Sequence, residues 1–329
     1  WSGLATTISG KIDREGSLPI KRMFSLFGLQ ATMLCSLLFL LIINQYACQH
    51  SGSNQPSSDV DLKSVLDVDH SNGFKVIGRA SSTVFGREVS SVGDVNGDGV
   101  DDFVAMSAST GEVFVIYGTY GDSSNIDATS SFGGFTIATG LNNIGGTMYV
   151  SGAGDRNHDG LQDIAIGLPT VGDSGTVLII FGSFTRTATH IFMDSLTFED
   201  GYFIYGFSEG GNCGVQARSA GDTNNDTFAD LIIGCNEVDG LTGMAFVISG
   251  VYTGDSLFLS DLGQEDGFRI VGRDQYSRFG SSVAGVGDVN GDGIDDIAIT
   301  TFPTSTAYYH TTDNIAVCII YGSLNPVDV

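Results

Sequence analysis

The sequence predicts an all-β protein, a β-propeller built from repeated four-stranded blades. Three observations lead there. Glycine is abundant and proline scarce, at 46 and 5 of 329 residues, a composition of many short strands joined by tight turns rather than of collagen or long helices. An acidic nonapeptide recurs in four copies. Beyond residue 73 no stretch has convincing helical periodicity; the apolar runs are short, β-branched and bounded by Gly, Asn and Asp, which marks strands.

Residues 1–22 carry no initiator Met and no motif. Lys21-Arg22 lead into a stretch with no charged residue until Asp59, most apolar from Met33 to Ile43. Positive charge, an apolar run and small polar residues form an export signal. The run from Met23 to Ile43 is also long enough for an uncleaved anchor. Residues 23–50 are therefore expected to be a signal peptide or membrane anchor, and 51–72 a polar linker. The positive flank stays inside and the remainder is exported, so the expected location is extracellular or cell-surface. Tyr46-Ala47-Cys48 hints at a lipoprotein cleavage site, but Gln45 stands where leucine is expected.

From residue 73 the chain repeats itself, with periods of about 73–133, 134–200, 201–266 and 267–329. The nonapeptides run Asp94–Asp102, Asp155–Asp163, Asp222–Asp230 and Asp288–Asp296, their first residues 61, 67 and 66 apart. Each follows a glycine (Gly93, Gly154, Gly221, Gly287) and precedes an apolar run. A second apolar run ends at Gly118, Gly182, Gly250 or Gly322. A Gly-aromatic strand start recurs at Gly73-Phe74, Gly134-Phe135, Gly201-Tyr202 and Gly267-Phe268. One unit thus holds about four strands, and such units set around an axis protect their edges by radial repetition. The rival, an open solenoid, has shorter periods of ~20–30 residues.

Positions 1, 3, 5 and 9 of every copy carry a side-chain oxygen: Asp94, Asn96, Asp98 and Asp102; Asp155, Asn157, Asp159 and Asp163; Asp222, Asn224, Asp226 and Asp230; Asp288, Asn290, Asp292 and Asp296. Calcium takes ~6–8 oxygen ligands, and alternating Asp and Asn on a tight loop supply them. Position 7 would add a backbone carbonyl, from Val100, Leu161, Phe228 and Ile294. The expectation is about four Ca²⁺ ions, one per repeat, each coupled to the folding of its hairpin. Magnesium prefers rigid octahedral sites that retain water, so the ligand-rich loop favours calcium. Position 6 is Gly99, Gly160 and Gly293 in three copies but Thr227 in the third, which is expected to be strained or weaker. An EF-hand is excluded, since position 12 is Ala105, Ile166, Ile233 or Ile299 instead of glutamate.

The net charge of −24 repels phosphate backbones, so nucleic acid is not an expected partner. The five cysteines form no CxxC pair and the five histidines no HExxH. Gly172-Asp-Ser-Gly175 resembles a protease nucleophile loop but falls between two strands, where a turn belongs. His158, at position 4 of the second loop, is expected to point outward. Cys213 and Cys235 flank the third loop where they can face each other, as a disulfide or as two small buried hydrophobes. Asn225-Asp-Thr227 is a glycosylation sequon inside a loop that a glycan would disturb. No residue set supports catalysis, and the chain is expected not to be an enzyme.

Phe85-Gly86 and Phe279-Gly280 each stand nine residues before a loop. With the loop, apolar strand and small-residue turn, this resembles the FG-GAP repeat of integrin α-subunit propellers, found also in glycosylphosphatidylinositol-specific phospholipase D and bacterial surface proteins. The second copy departs with Gly146-Thr147 and the third with Cys213-Gly214. The resemblance implies a calcium loop between the first two strands of each blade, on one rim. It places ligand-binding loops on the opposite rim, and implies a seven-bladed whole of which four repeats are visible, the alternative being a closed four-bladed propeller. It further implies a module for protein binding or cell adhesion, whose partner is an extracellular protein or glycan, or a second receptor subunit. Membrane contact would come only through the N-terminal anchor. The alternative is the accessory propeller of a secreted, phospholipase D-like hydrolase.

Overall fold

The computed structural model describes residues 74–78, 84–120, 125–128, 132–141, 148–250, 256–301 and 316–324. The expected export segment, the linker, Gly73, Gly146-Thr147, His50, His70, His310, Cys35 and Cys48 lie outside the described residues. No helix among the described residues is long and apolar enough to cross a membrane. Among the described residues, helix is confined to one four-residue turn, Val238–Leu241, and two 3₁₀ turns.

The other regular elements among the described residues are strands, most of them arranged as successive blades of a β-propeller. Blade I comprises β1 (Phe85–Gly93), β2 (Asp102–Ser107), β3 (Glu112–Ile116) and β4 (Gly134–Ala138), antiparallel in that order. Blade II repeats it with β5 (Tyr149–Gly154), β6 (Asp163–Leu168), β7 (Thr176–Ile180) and β8 (Gly201–Tyr205). Blade III has β9 (Cys213–Gly221), β10 (Asp230–Cys235), β11 (Met244–Ile248) and β12 (Gly267–Val271). Blade IV shows β13 (Val283–Gly287), β14 (Asp296–Thr301) and β15 (Ala316–Ile320).

Sheet and sequence period differ in phase by one strand. Gly134–Ala138 opens the second sequence period, yet pairs with Glu112–Ile116 as the outer strand of blade I. Beyond it lies a short strand from the next period: His190–Phe192 runs parallel to β4, and Ser256–Phe258 parallel to β8. The outer edges of blades I and II are thereby covered by a strand of the following repeat, which limits the exposed edge of these two sheets.

The blades pack face to face. Val113 and Val115 of blade I meet Val150, Ile164 and Ile166 of blade II in one core cluster. Val177 and Ile179 meet Ala217, Leu231 and Ile233 in a second, and Ala245 and Val247 meet Val283, Ile297 and Ile299 in a third. Burying such a side chain is worth roughly 1.5–3 kcal/mol, so these contacts dominate the stability. Val150, Ala217 and Val283 are 2–4% exposed, whereas Val89 at the same place in blade I is 64% exposed and Val317 of β15 is 59% exposed. Blade I is covered on its other face at Ala105, Phe114 and Ile116 by Val76, Ile126 and Phe132, of which Val76–Ile77 pairs parallel with Ile126–Asp127; among the described residues, Val89 and the Val317 side of blade IV face no neighbouring blade. The inner strands β1, β5, β9 and β13 are successive neighbours and line one open cleft with Ser90, Ser151, Arg218 and Gly285.

The Phe-Gly signature has a steric cause. Gly86, Gly214 and Gly280 take φ of +77°, +85° and +83°, a conformation a side chain resists. The backbones of Gly214 and Gly280 lie against Gly167 and Gly234, where an added Cβ would stand 2.1 and 2.0 Å from their carbonyl oxygens. In the third copy Cys213 takes the place of phenylalanine while the glycine beside it is kept.

Candidate metal centre

All four nonapeptides form the loop between the first and second strands of a blade. Each repeats one hydrogen-bond scheme. The position 1 carboxylate accepts the amides of positions 5 and 6. For Asp94 these are Asp98 at 3.2 Å and Gly99 at 2.8 Å; for Asp222 they are Asp226 at 3.0 Å and Thr227 at 2.9 Å. Asp155 and Asp288 do the same. The position 3 amide nitrogen donates to the position 5 carboxylate at 2.8–3.0 Å in every copy (Asn96 to Asp98, Asn157 to Asp159, Asn224 to Asp226, Asn290 to Asp292). That carboxylate also accepts the amide of position 7, on Val100, Leu161, Phe228 or Ile294. Positions 1, 3 and 5 thus share one network on the outer turn.

Position 9 belongs to a different network. Asp102, Asp163, Asp230 and Asp296 are all 0–1% exposed. One oxygen of each accepts the amide of position 2 (Val95, Arg156, Thr223, Val289) at 2.7–2.9 Å. The other accepts the glycine amide that ends the third strand (Gly118, Gly182, Gly250, Gly322) at 2.8–3.1 Å. The ninth position therefore bolts the loop to the blade, a role that sequence reasoning missed. The recurring glycine after each third strand was its signal. A carboxylate oxygen has two lone pairs, so these ties leave acceptor capacity.

Among the described residues, no three His, Cys, Asp or Glu side chains by themselves form a group that could hold a metal ion. Each outer turn brings two carboxylates and an asparagine, and the third carboxylate stays in the hairpin base. The described ion pairs, Arg186–Asp200 and Arg278–Glu237, involve no loop carboxylate. Burial pushes Asp163 up to about 7, and Asp102 and Asp230 up to about 6, despite the backbone amides that favour their charge. Asp288, fully exposed, is lowered, chiefly by the Gly293 amide. The loops thus hold oxygen donors and uncompensated negative charge, the donor chemistry of a hard cation.

The remaining predicted features also find their places. Cys213 and Cys235 form a disulfide across the first hairpin of blade III. His158 is exposed, its ring 4.6 Å from that of Phe228 in the third loop. Gly172–Gly175 is a turn between β6 and β7.

Repeated four-stranded blades with an Asp/Asn loop at each first hairpin define an FG-GAP-type propeller. Residues 279–306 match the FG-GAP repeat family, and the chain is similar to integrin α subunits. It is 27% identical over 193 residues to integrin alpha pat-2 of Caenorhabditis briggsae, covering 54% of this chain and 14% of that protein. It is 28% identical over 227 residues to integrin alpha-5 of Xenopus laevis, covering 68% and 20%. It is also 26% identical over 208 residues to the human phosphatidylinositol-glycan-specific phospholipase D, covering 59% and 24%. The chain thus spans a quarter or less of the length of these relatives.

Proposed function

We propose that the chain is an extracellular binding module of the adhesion type whose blades are stiffened by calcium, one ion per loop. The observation that carries this reading is the hydrogen-bond scheme repeated four times, which gathers three oxygen-bearing side chains on each outer turn without a basic partner. Asp94, Asn96 and Asp98, and their counterparts, would hold the ion from the outer turn. The carbonyls of Val100, Leu161, Phe228 and Ile294, and the ninth-position aspartates, complete the proposed set. When bound, the ion neutralises carboxylates that otherwise repel each other. The loop residues supply its shape, and Asp102, Asp163, Asp230 and Asp296 hold each loop on its blade.

Similarity to integrin α subunits supports a surface-exposed module that docks an extracellular protein or glycan, or a second receptor subunit. Similarity to the phospholipase supports the alternative, an accessory propeller carried by a secreted hydrolase. Both use the same stiffened scaffold. Metal content decides the shared core: protein equilibrated in about 1 mM calcium, the extracellular range, and separated from free ion is expected to retain close to four calcium ions per chain. Retention of none would refute the reading. Binding to surfaces coated with extracellular glycoproteins, lost in chelator, separates adhesion from the hydrolase alternative.

A further inference from the structure

Arg156 stands at position 2 of the second loop, where the others carry Val95, Thr223 and Val289. It is 1% exposed, and its guanidinium reaches into blade III. Nη1 donates to the carbonyls of Ala229 and Ile248, both at 2.9 Å. Nη2 donates to the Ser249 carbonyl at 2.9 Å and to Tyr202 Oη at 3.3 Å, and Nε to Tyr202 Oη at 3.4 Å. Every N–H of the fork has an acceptor, which a buried guanidinium requires.

Two of those carbonyls lead to Asp230. The Ala229 carbonyl shares its peptide with the Asp230 amide. The Ser249 carbonyl shares its peptide with the Gly250 amide, which donates to Asp230 Oδ1 at 3.1 Å. A cation on a carbonyl polarises the N–H of the same peptide, and linked hydrogen bonds strengthen one another. Arg156 thus acts on a buried carboxylate in the next blade through intervening peptides.

The other loop junctions are tied by backbone. Gln162 N donates to Asp94 O at 3.0 Å and Ser183 N to Val95 O at 2.8 Å, joining loops one and two. Asp295 N to Asp222 O at 3.1 Å and Ser323 N to Thr223 O at 2.8 Å join loops three and four. Between loops two and three no such bond is found among the described residues.

We propose that Arg156 is a positioning residue for the third loop: it fixes Asp230 from the neighbouring blade, so that the second and third loops act as one unit. The proposal rests on the calcium reading for its metal readout alone. The test uses the full chain and two variants, Arg156→Gln and Arg156→Lys. Amide hydrogen exchange is followed at Thr223 and Gly250, held by Asp230, and at Gly118 and Gly322, the equivalent amides on Asp102 and Asp296. Loss of charge-assisted bonds predicts exchange about tenfold faster at Thr223 and Gly250 in Arg156→Gln, in chelator as well as in calcium, with Gly118 and Gly322 unchanged. Calorimetric calcium titration should show one of four sites weakened by about tenfold. Lysine, which keeps the charge without the fork, should give intermediate exchange. Unchanged exchange at Thr223 and Gly250, or an equal rise at all four amides, would overturn the proposal. If the glutamine variant does not fold, the same pattern in the lysine variant decides. If the wild-type chain takes up no calcium, the proposed function fails, while the exchange comparison still decides the role of Arg156.

Discussion

The first and third loops close the same hydrogen bonds with different residues. In the first, positions 4 and 6 are Gly97 and Gly99, at φ of +79° and +83°. In the third they are Asn225 and Thr227, at +59° and +75°. Left-handed backbone suits asparagine moderately and a β-branched threonine poorly, at a cost of about 1–3 kcal/mol. The carboxylate pattern therefore dictates the loop, and glycine only relieves it. The third loop is also the one with added restraints. Cys213–Cys235 closes its hairpin at the far end, the Thr223 hydroxyl donates to Asp230, and Arg156 grips its flank. Strain in one loop is offset by staples that the first loop lacks.

That contrast can be broken at several points. The largest effect is expected at the ninth position. Asp163→Ala strands the buried amides of Arg156 and Gly182, each costing roughly 1–3 kcal/mol, so urea unfolding should show a loss of several kcal/mol. A loss under about 0.5 kcal/mol, the range of a neutral surface change, would deny the bolt. Next comes the disulfide, which spans 22 residues. Its removal by paired Cys→Ser changes should cost about 2–4 kcal/mol, with proteolytic cleavage appearing first in the third loop. Cleavage in the first loop instead would contradict the staple argument. Thr227→Gly should stabilise by about 1 kcal/mol as strain is released, whereas Gly99→Thr should destabilise by a similar amount. Equal effects of one sign would show that the two loops do not differ as described.

A separate expected effect is one of pH. In chelator, Asp102, Asp163 and Asp230 are raised from 3.8 to about 6, 7 and 6. The folded chain then holds more protons than the unfolded one between these values. This contribution is full below about pH 4 and is lost as pH rises through 6 to 7. Urea midpoints in chelator should fall from pH 5 to pH 8. In calcium, which competes with those protons, the fall should vanish. A midpoint that rises with pH in chelator would contradict the cause assigned to these shifts.

Much of this was legible in the chain. The nonapeptides identify themselves because position-specific Asp and Asn recur at nearly constant spacing. The second and third strands of blades I to III are apolar runs such as Val177–Ile180, buried on both faces. Other features rest on non-local pairing and were hidden. The phase of the blades depends on β4 joining β3 rather than its own sequence period. His190–Phe192, at three residues, is too short to read as a strand. Arg156 looks like a solvated loop residue, and only the apolar or small residues at position 2 elsewhere mark its place as buried. The ninth aspartate reads as a ligand because its type fits, but type alone does not disclose that both oxygens hold backbone amides.

The central claim is that calcium completes the loops and thereby stiffens the blades. Its most direct measurement is the melting temperature of the full chain in excess EDTA, then in millimolar calcium, then in millimolar magnesium. A single site saturated about 100-fold above its Kd adds about 2.7 kcal/mol. Four sites should therefore raise the melt by well over 10 °C in calcium, with much less in magnesium. A melt unchanged between EDTA and calcium would contradict the account.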